Sequence, residues 1–175
     1  MSQRTCFSRA FFATAIGFIA MIPAAADDWP GWRGEDRTDI SPETGLLKSW
    51  PEGGPKQVWM FQKAGKGYSG PAIVDGRLFT MGTRDDQTIL LALDANTGEE
   101  IWATPVKEIL TNNWGDGPRS TPSVVDGKVY ALSGEGELVC ANASDGSIVW
   151  QKNMVDFGGK VPSWGYTESP LIDGD

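Results

Sequence analysis

Two stretches of this chain repeat each other in register, and no other feature constrains the fold as tightly. Ala92 to Trp102 reads A-L-D-A-N-T-G-E-E-I-W, and Val139 to Trp150 reads V-C-A-N-A-S-D-G-S-I-V-W. Gly146 follows Gly98, and Trp150 follows Trp102, at the same spacing of 48 residues. In the first copy Leu91 and Leu93 alternate with Ala92, as at the end of a half-buried strand. Asp94 to Gly98 then supply turn chemistry, because an Asp or Asn side chain bonds nearby backbone groups and glycine takes positive φ at little cost. Glu99 and Glu100 lead into Ile101 and Trp102 on a return strand. Each copy is a hairpin with a large aromatic at its far end.

A second anchor sits ahead of each hairpin. Ser69-Gly70-Pro71-Ala72-Ile73-Val74-Asp75-Gly76 resembles Ser120-Thr121-Pro122-Ser123-Val124-Val125-Asp126-Gly127, and Glu168-Ser169-Pro170-Leu171-Ile172-Asp173-Gly174 begins a third copy. Asp-Gly between two short apolar runs predicts a tight hairpin with positive φ at both central residues. Each repeat therefore reads as four short strands. They fall at Ser69–Val74, Arg77–Gly82, Ile89–Asp94 and Glu100–Pro105, then at Thr121–Val125, Lys128–Ser133, Glu137–Asn142 and Ser147–Lys152. Four antiparallel strands in a repeat of about 40 to 50 residues predict a blade of an all-β propeller.

The hairpin motif A-x-D-x-x-T-G-x-x-x-W is met in full by Ala92, Asp94, Thr97, Gly98 and Trp102, and it resembles the repeat of the pyrroloquinoline-quinone (PQQ) propeller superfamily. The second copy departs from it, with Asn142 for the Asp and Asp145 for the Thr, but keeps Gly146 and Trp150. The resemblance implies that each tryptophan docks against the neighbouring blade. It also implies an open choice of activity, since the superfamily holds quinoprotein dehydrogenases, BamB-like outer-membrane assembly lipoproteins and other secreted proteins.

Residues 1–26 read as a signal peptide: Arg4 and Arg9 precede the apolar run Ala10 to Ile22, and Ala24-Ala25-Ala26 offers a small-residue cleavage site. Cys6 precedes that run, so it is not placed as a lipid acceptor, and no Arg-Arg pair marks twin-arginine export. The expected mature chain starts near Asp27, is periplasmic or secreted, and has no transmembrane span. The whole sequence has 15 basic and 23 acidic residues, net −8, and the leader removes two of the basic ones. Such an acidic surface argues against nucleic-acid binding, which needs cations facing phosphates. Cys140 alone would remain, as a small buried apolar residue without a disulfide partner. The chain has no histidine, which removes the usual general base and metal ligand.

Residues 27–55 form an expected N-terminal extension, in which Trp29 and Trp32 pin the segment to the propeller by burying their rings. Lys56 to Phe61 reads as a closing strand with Trp59 as its docking tryptophan. Residues 56–175 form the partial propeller, with blades near 66–110 and 117–157 and the next beginning at 168. The expectation is an N-terminal fragment, because propellers close with about four to eight blades. The loops Leu110 to Ser120 and Phe157 to Glu168 are the most irregular stretches, and each carries Trp-Gly and leads into an inner strand. Inner strands start at the channel mouth, and loops on a rigid scaffold concentrate binding residues. Trp114, Arg119, Trp164, Tyr166 and Glu168 are therefore the candidate ligand-binding residues. Asp94, Gly98, Trp102, Gly146 and Trp150 are the structural repeat positions.

No catalytic or metal-binding residue is assigned. A quinoprotein needs a calcium site of oxygen ligands, a carboxylate base and a stacking tryptophan, whereas most acids here belong to hairpin turns. Gly134-Glu135-Gly136 lacks the strand-turn-helix context of a phosphate cradle. The favoured function is an exported binding or scaffold module acting through loops at the channel face, with an envelope protein or small ligand as partner. The alternative is a periplasmic PQQ-dependent alcohol dehydrogenase, and only that alternative brings PQQ and calcium as cofactors.

Overall fold

The computed structural model describes residues 26–174. The expected leader lies outside these residues except for Ala26. Strands β1 (Ala72–Val74), β2 (Arg77–Arg84), β3 (Gln87–Asp94) and β4 (Glu100–Glu108) form one antiparallel sheet in that order. Strands β5 (Ser123–Val125), β6 (Lys128–Leu132), β7 (Glu137–Asn142) and β8 (Ile148–Asn153) form a second sheet of the same order, followed by one 3-10 turn at Met154–Phe157. These are two successive four-stranded blades. Among the described residues, no helix is long and apolar enough to cross a membrane.

The local chemistry explains each connection. Asp75 and Gly76 have φ of 51° and 70°, and Asp126 and Gly127 have 47° and 70°, the double positive φ that a tight Asp-Gly hairpin needs. In the next hairpin the Asp94 carboxylate accepts from the amides of Asn96 and Thr97 at 2.8 and 2.9 Å, and Gly98 N–H closes the loop on Asp94 O at 2.8 Å. The second copy divides these roles. Gly146 N–H still closes on Asn142 O at 2.9 Å, while Asp145 Oδ1 accepts from Ser147 N–H at 2.9 Å. Both copies contain a bulge just before the tryptophan. Ala92 faces Trp102 while Leu93 faces Glu100, and Cys140 faces Trp150 while Ala141 faces Ile148. Ile101 and Val149 are the extra residues, and such a bulge turns the strand and re-aims the following side chain.

The two sheets pack face to face over one core. Phe79, Met81, Leu90, Ala92, Trp102 and Val106 of the first blade meet Val124, Val129, Ala131, Val139 and Ala141 of the second. The repeat glycines make the docking possible. Trp102 lies across Gly146, where an added Cβ would be 2.5 Å from its ring, and its Nε1–H donates to Ala143 O at 3.1 Å. Trp59 repeats this on the first blade: a Cβ on Gly98 would be 2.6 Å from its ring, and its Nε1–H donates to Ala95 O at 3.0 Å. Among the described residues Lys56 to Phe61 joins no sheet, and Trp59 docks it on the first blade. Trp150 differs from Trp102: its ring has Tyr130 6.1 Å away, yet it stays 39% exposed, as the rest of β8 is open too. The blade on which Trp150 is expected to dock is not among the described residues, which hold only the two sheets.

The N-terminal extension runs along the inner strands. Trp29 pairs with Ile73 of β1 through two backbone bonds of 2.7 and 2.8 Å, and Pro30 O accepts from Val124 N–H of β5 at 2.8 Å. The Trp29 ring sits on Gly34, where a Cβ would approach it to 2.9 Å. Trp32 is a correction: its ring is half exposed, flanked by the guanidinium groups of Arg33 and Arg37 at 5.3 and 5.6 Å instead of buried.

Candidate functional site

Pro71 and Pro122 stand just before the inner strands β1 and β5, Pro170 holds the matching place in the third copy, and the residues just before them meet at one end of the blades. Gly70, Thr121 and Ser169 occupy the same register and together line a cleft of about 700 Å³, joined by Trp32, Arg37, Tyr68, Arg119, Thr167 and Glu168. Hydrogen bonds step from one inner strand to the next across its floor. Ser69 Oγ–H donates to Ser120 O at 2.6 Å, Thr121 N–H donates to Ser169 Oγ at 2.9 Å, and Ser123 Oγ–H donates to Pro170 O at 2.5 Å.

The five candidate residues divide into three places. Arg119 and Glu168 line the cleft. The Arg119 guanidinium donates to the carbonyls of Gly115, at 2.6 Å, and Gly117, and stacks 5.5 Å from the Tyr68 ring. Those contacts fix the cation in place and tie down its loop. Glu168 is exposed, with Oε2 accepting from Thr167 N–H at 3.1 Å. Trp114 and Trp164 stack on each other outside the cleft, with ring centroids 4.8 Å apart and planes inclined by 32°. Tyr166 lies apart from both: its ring closes over Gly136 and Gly159, and its N–H donates to Gly134 O at 2.9 Å. Its place is structural packing between the loop and the β6–β7 turn.

Sequence reasoning left out Trp32, Arg37 and Tyr68. A signal for Tyr68 was present, since it stands three residues before Pro71 as Arg119 stands before Pro122. Trp32 and Arg37 reach the cleft through the path of the extension, which carries no period to read. Electrostatics next to the cleft are dominated by the pair Lys66–Asp116, 2.9 Å apart, which joins the lead-in of the first blade to the Trp114 loop. The hydrogen bond from Lys66 holds the Asp116 carboxyl below the usual carboxylate range, and Asp116 in turn raises the ammonium of Lys66.

Among the described residues, no three His, Cys, Asp or Glu side chains come together to hold a metal ion. Calcium takes about six to eight oxygen ligands, and the cleft offers one carboxylate, Glu168, beside the hydroxyls of Thr121, Thr167 and Ser169. This donor set does not fit the calcium that accompanies PQQ.

Blades docked by repeat tryptophans, with inner strands opening on a common cleft, define part of a PQQ-like β-propeller. The family described as outer membrane protein assembly factor BamB matches residues 44–154 and, in a second overlapping match, residues 85–175. The chain belongs to that family. Comparison with curated proteins finds no match. Among solved structures, the quinohemoprotein alcohol dehydrogenase of Comamonas testosteroni is 20% identical with a TM-score of 0.58, over 82% of this chain and 21% of that one. The chain thus spans about a fifth of that enzyme's length, and the likeness shows the fold alone. Quinohemoprotein alcohol dehydrogenase ADHIIG of Pseudomonas putida HK5 is also 20% identical, with a TM-score of 0.46 over 65% of this chain and 16% of that one. BamB from Moraxella catarrhalis is 15% identical, with a TM-score of 0.33 over 59% and 37% of the two chains. These two likenesses are too distant to add to the argument.

Proposed function

We propose that this chain acts as an exported propeller module that binds a protein partner or small ligand through the loops at the mouth of its channel. The observation that carries this reading is the cleft at the inner-strand starts, where Trp32, Arg37, Tyr68, Arg119 and Glu168 surround about 700 Å³. Concave sites with a few fixed polar groups and aromatic walls are the usual form of a binding site. A binding role also suits the groups present. Arg119 is engaged with backbone carbonyls, and Glu168 is the one carboxylate lining the cleft. A scaffold in envelope assembly agrees with the character of the family as an outer membrane protein assembly factor. Residues 27–55 serve in this reading as the extension that lines the mouth, and residues 56–175 as the partial propeller with its blades near 66–110 and 117–157.

A second reading is a periplasmic PQQ-dependent alcohol dehydrogenase, a class with which the chain shares its fold. One experiment separates the two. The full-length protein is immobilised and challenged with detergent-solubilised outer membrane, and recovered β-barrel proteins are quantified for wild type, Arg37→Ala and Glu168→Gln. Retention by wild type that drops in both variants supports the module. The same samples are given PQQ, calcium, a dye and primary or secondary alcohols. Turnover above the free-cofactor background, lost in Glu168→Gln, would replace the module with the dehydrogenase.

A further inference from the structure

Trp114 and Trp164 are the large aromatics that neither the core nor the cleft uses. Each sits at the third position of a tight turn closed on its glycine: Gly115 N–H donates to Asn112 O at 3.2 Å, and Gly165 N–H donates to Pro162 O at 2.9 Å. The two turns are latched together by Asn112 Nδ2–H, which donates to Ser163 O at 3.2 Å. Trp114 is held from below as well, where Tyr68 O–H donates to its carbonyl at 3.2 Å. Yet the rings remain 66% and 52% exposed. A rigid loop carrying two stacked, uncovered indoles has already lost the side-chain freedom that binding would otherwise cost. Tryptophan in such a setting is the residue type most enriched at energetic hot spots of interfaces.

Charge decides what the stack receives. With centroids 4.8 Å apart nothing fits between the rings, so a ligand lies on an outer indole face. That face carries the negative end of the ring quadrupole, and indole is the strongest of the aromatic side chains as a cation acceptor. Acidic residues belong to the turns bonded to both loops, while the cations Lys66 and Arg119 are already engaged, by Asp116 and by the carbonyls of Gly115 and Gly117. Glu135 belongs to the β6–β7 turn, whose Gly134 O accepts from Tyr166 N–H at 2.9 Å, two residues past Trp164. Asp86 belongs to the β2–β3 turn, whose carbonyl accepts from Ile109 N–H at 3.1 Å just ahead of the Trp114 loop. The sequence as a whole carries a net charge of −8, which draws cationic partners toward the surface.

We propose that the Trp114–Trp164 stack is a docking point for an arginine or lysine side chain of an extended polypeptide. This rests on the loop face being a binding surface, and it adds the chemistry of the partner. A sugar ring or a proline-rich segment would also stack on indole, but neither gains from the acids beside it.

The test titrates full-length protein with a fluorescently labelled Gly-Ser peptide carrying arginines and follows anisotropy. The matched citrulline peptide, a polyproline peptide and a neutral oligosaccharide compete in parallel. The arginine peptide should bind, and citrulline should weaken it about tenfold, the size of a partly desolvated cation–π contact. Trp114→Ala and Trp164→Ala should each weaken it about tenfold, whereas Trp164→Phe should keep part of the affinity. Equal binding by citrulline, by either alanine variant that retains its far-ultraviolet spectrum, or stronger competition by the polyproline or sugar would overturn the proposal. Loss of this binding while wild type still retains outer-membrane proteins would sink the arginine site alone. Loss of both would sink the loop-face reading with it.

Discussion

Replacing Trp102 by alanine tests the docking of one blade on the next. The indole is 9% exposed, lies on Gly146, and has Phe79 at 6.0 Å with planes inclined by 45°. Truncating a buried tryptophan costs about 3 to 5 kcal/mol, covering lost transfer energy and the cavity left behind. The tilted aromatic contact accounts for about 1 kcal/mol of that. The lost indole hydrogen bond contributes little, because Ala143 O keeps the Arg77 guanidinium at 2.9 Å and is not orphaned. The expected loss is about 4 kcal/mol for Trp102→Ala, and about 1 to 2 kcal/mol for Trp102→Phe, which keeps most of the buried area. Urea unfolding of the full-length proteins, followed by far-ultraviolet circular dichroism and compared at equal slope, gives both values. A loss under about 1 kcal/mol for Trp102→Ala would refute the docking argument.

Gly146→Ala and Gly127→Ala start from similar φ, 73° and 70°, but only Gly146 faces a ring, at 2.5 Å from the added Cβ, so Gly146→Ala should be worse by about 1 to 3 kcal/mol in the same unfolding assay. Thr88 Oγ1 is buried without a partner, so Thr88→Val should leave stability unchanged or raise it by about 1 kcal/mol, and a loss above that would mean an unseen partner. Asp94 is held below its ordinary 3.8 first by the amide of Thr97 and then by that of Asn96. A carboxyl depressed on folding stabilises above its unfolded pKa, and that stability is lost as pH falls through the folded value. The thermal midpoint should therefore decline below about pH 4, with a shallower decline in Asp94→Asn. If Ala24 to Ala26 is a cleavage site, mass spectrometry of envelope protein should find a terminus near Asp27, and a retained Met1 to Ala26 would contradict export by this leader.

Much of the fold was legible because its signals are local. Asp75-Gly76 and Asp126-Gly127 need only their own backbone to fix a hairpin, and the strands on either side follow from short apolar runs. Gly98 and Gly146 were legible for a different reason: the spacing of 48 residues carried the same turn twice, and both have φ of 73°. The bulges at Ile101 and Val149 were not legible, since an extra residue in a strand leaves no composition signature. Trp59 shows where pattern reading misleads. Its role as a docking tryptophan was foreseen, but not its seat on Gly98, and Lys56 to Phe61 lacks sheet partners among the described residues.

The site was less legible because it is made by convergence. Arg119 and Glu168 come from loops that a repeat can align, whereas Trp32 and Arg37 come from an extension with no repeat, placed by Trp29 pairing with Ile73 and by Pro30 accepting from Val124. Two backbone attachments thus decide which aromatic ring and which cation line the mouth. Trp32 was assigned to packing because burial is the usual fate of a tryptophan near a propeller. Here the two adjacent guanidinium groups hold the ring at the surface, over the cleft. The same physics separates Trp102 from Trp114: each follows a turn or bulge that aims it, but only Trp102 meets a glycine on the neighbouring blade. A tryptophan that finds such a gap becomes an inter-blade anchor, and one that meets only another tryptophan stays open to a partner.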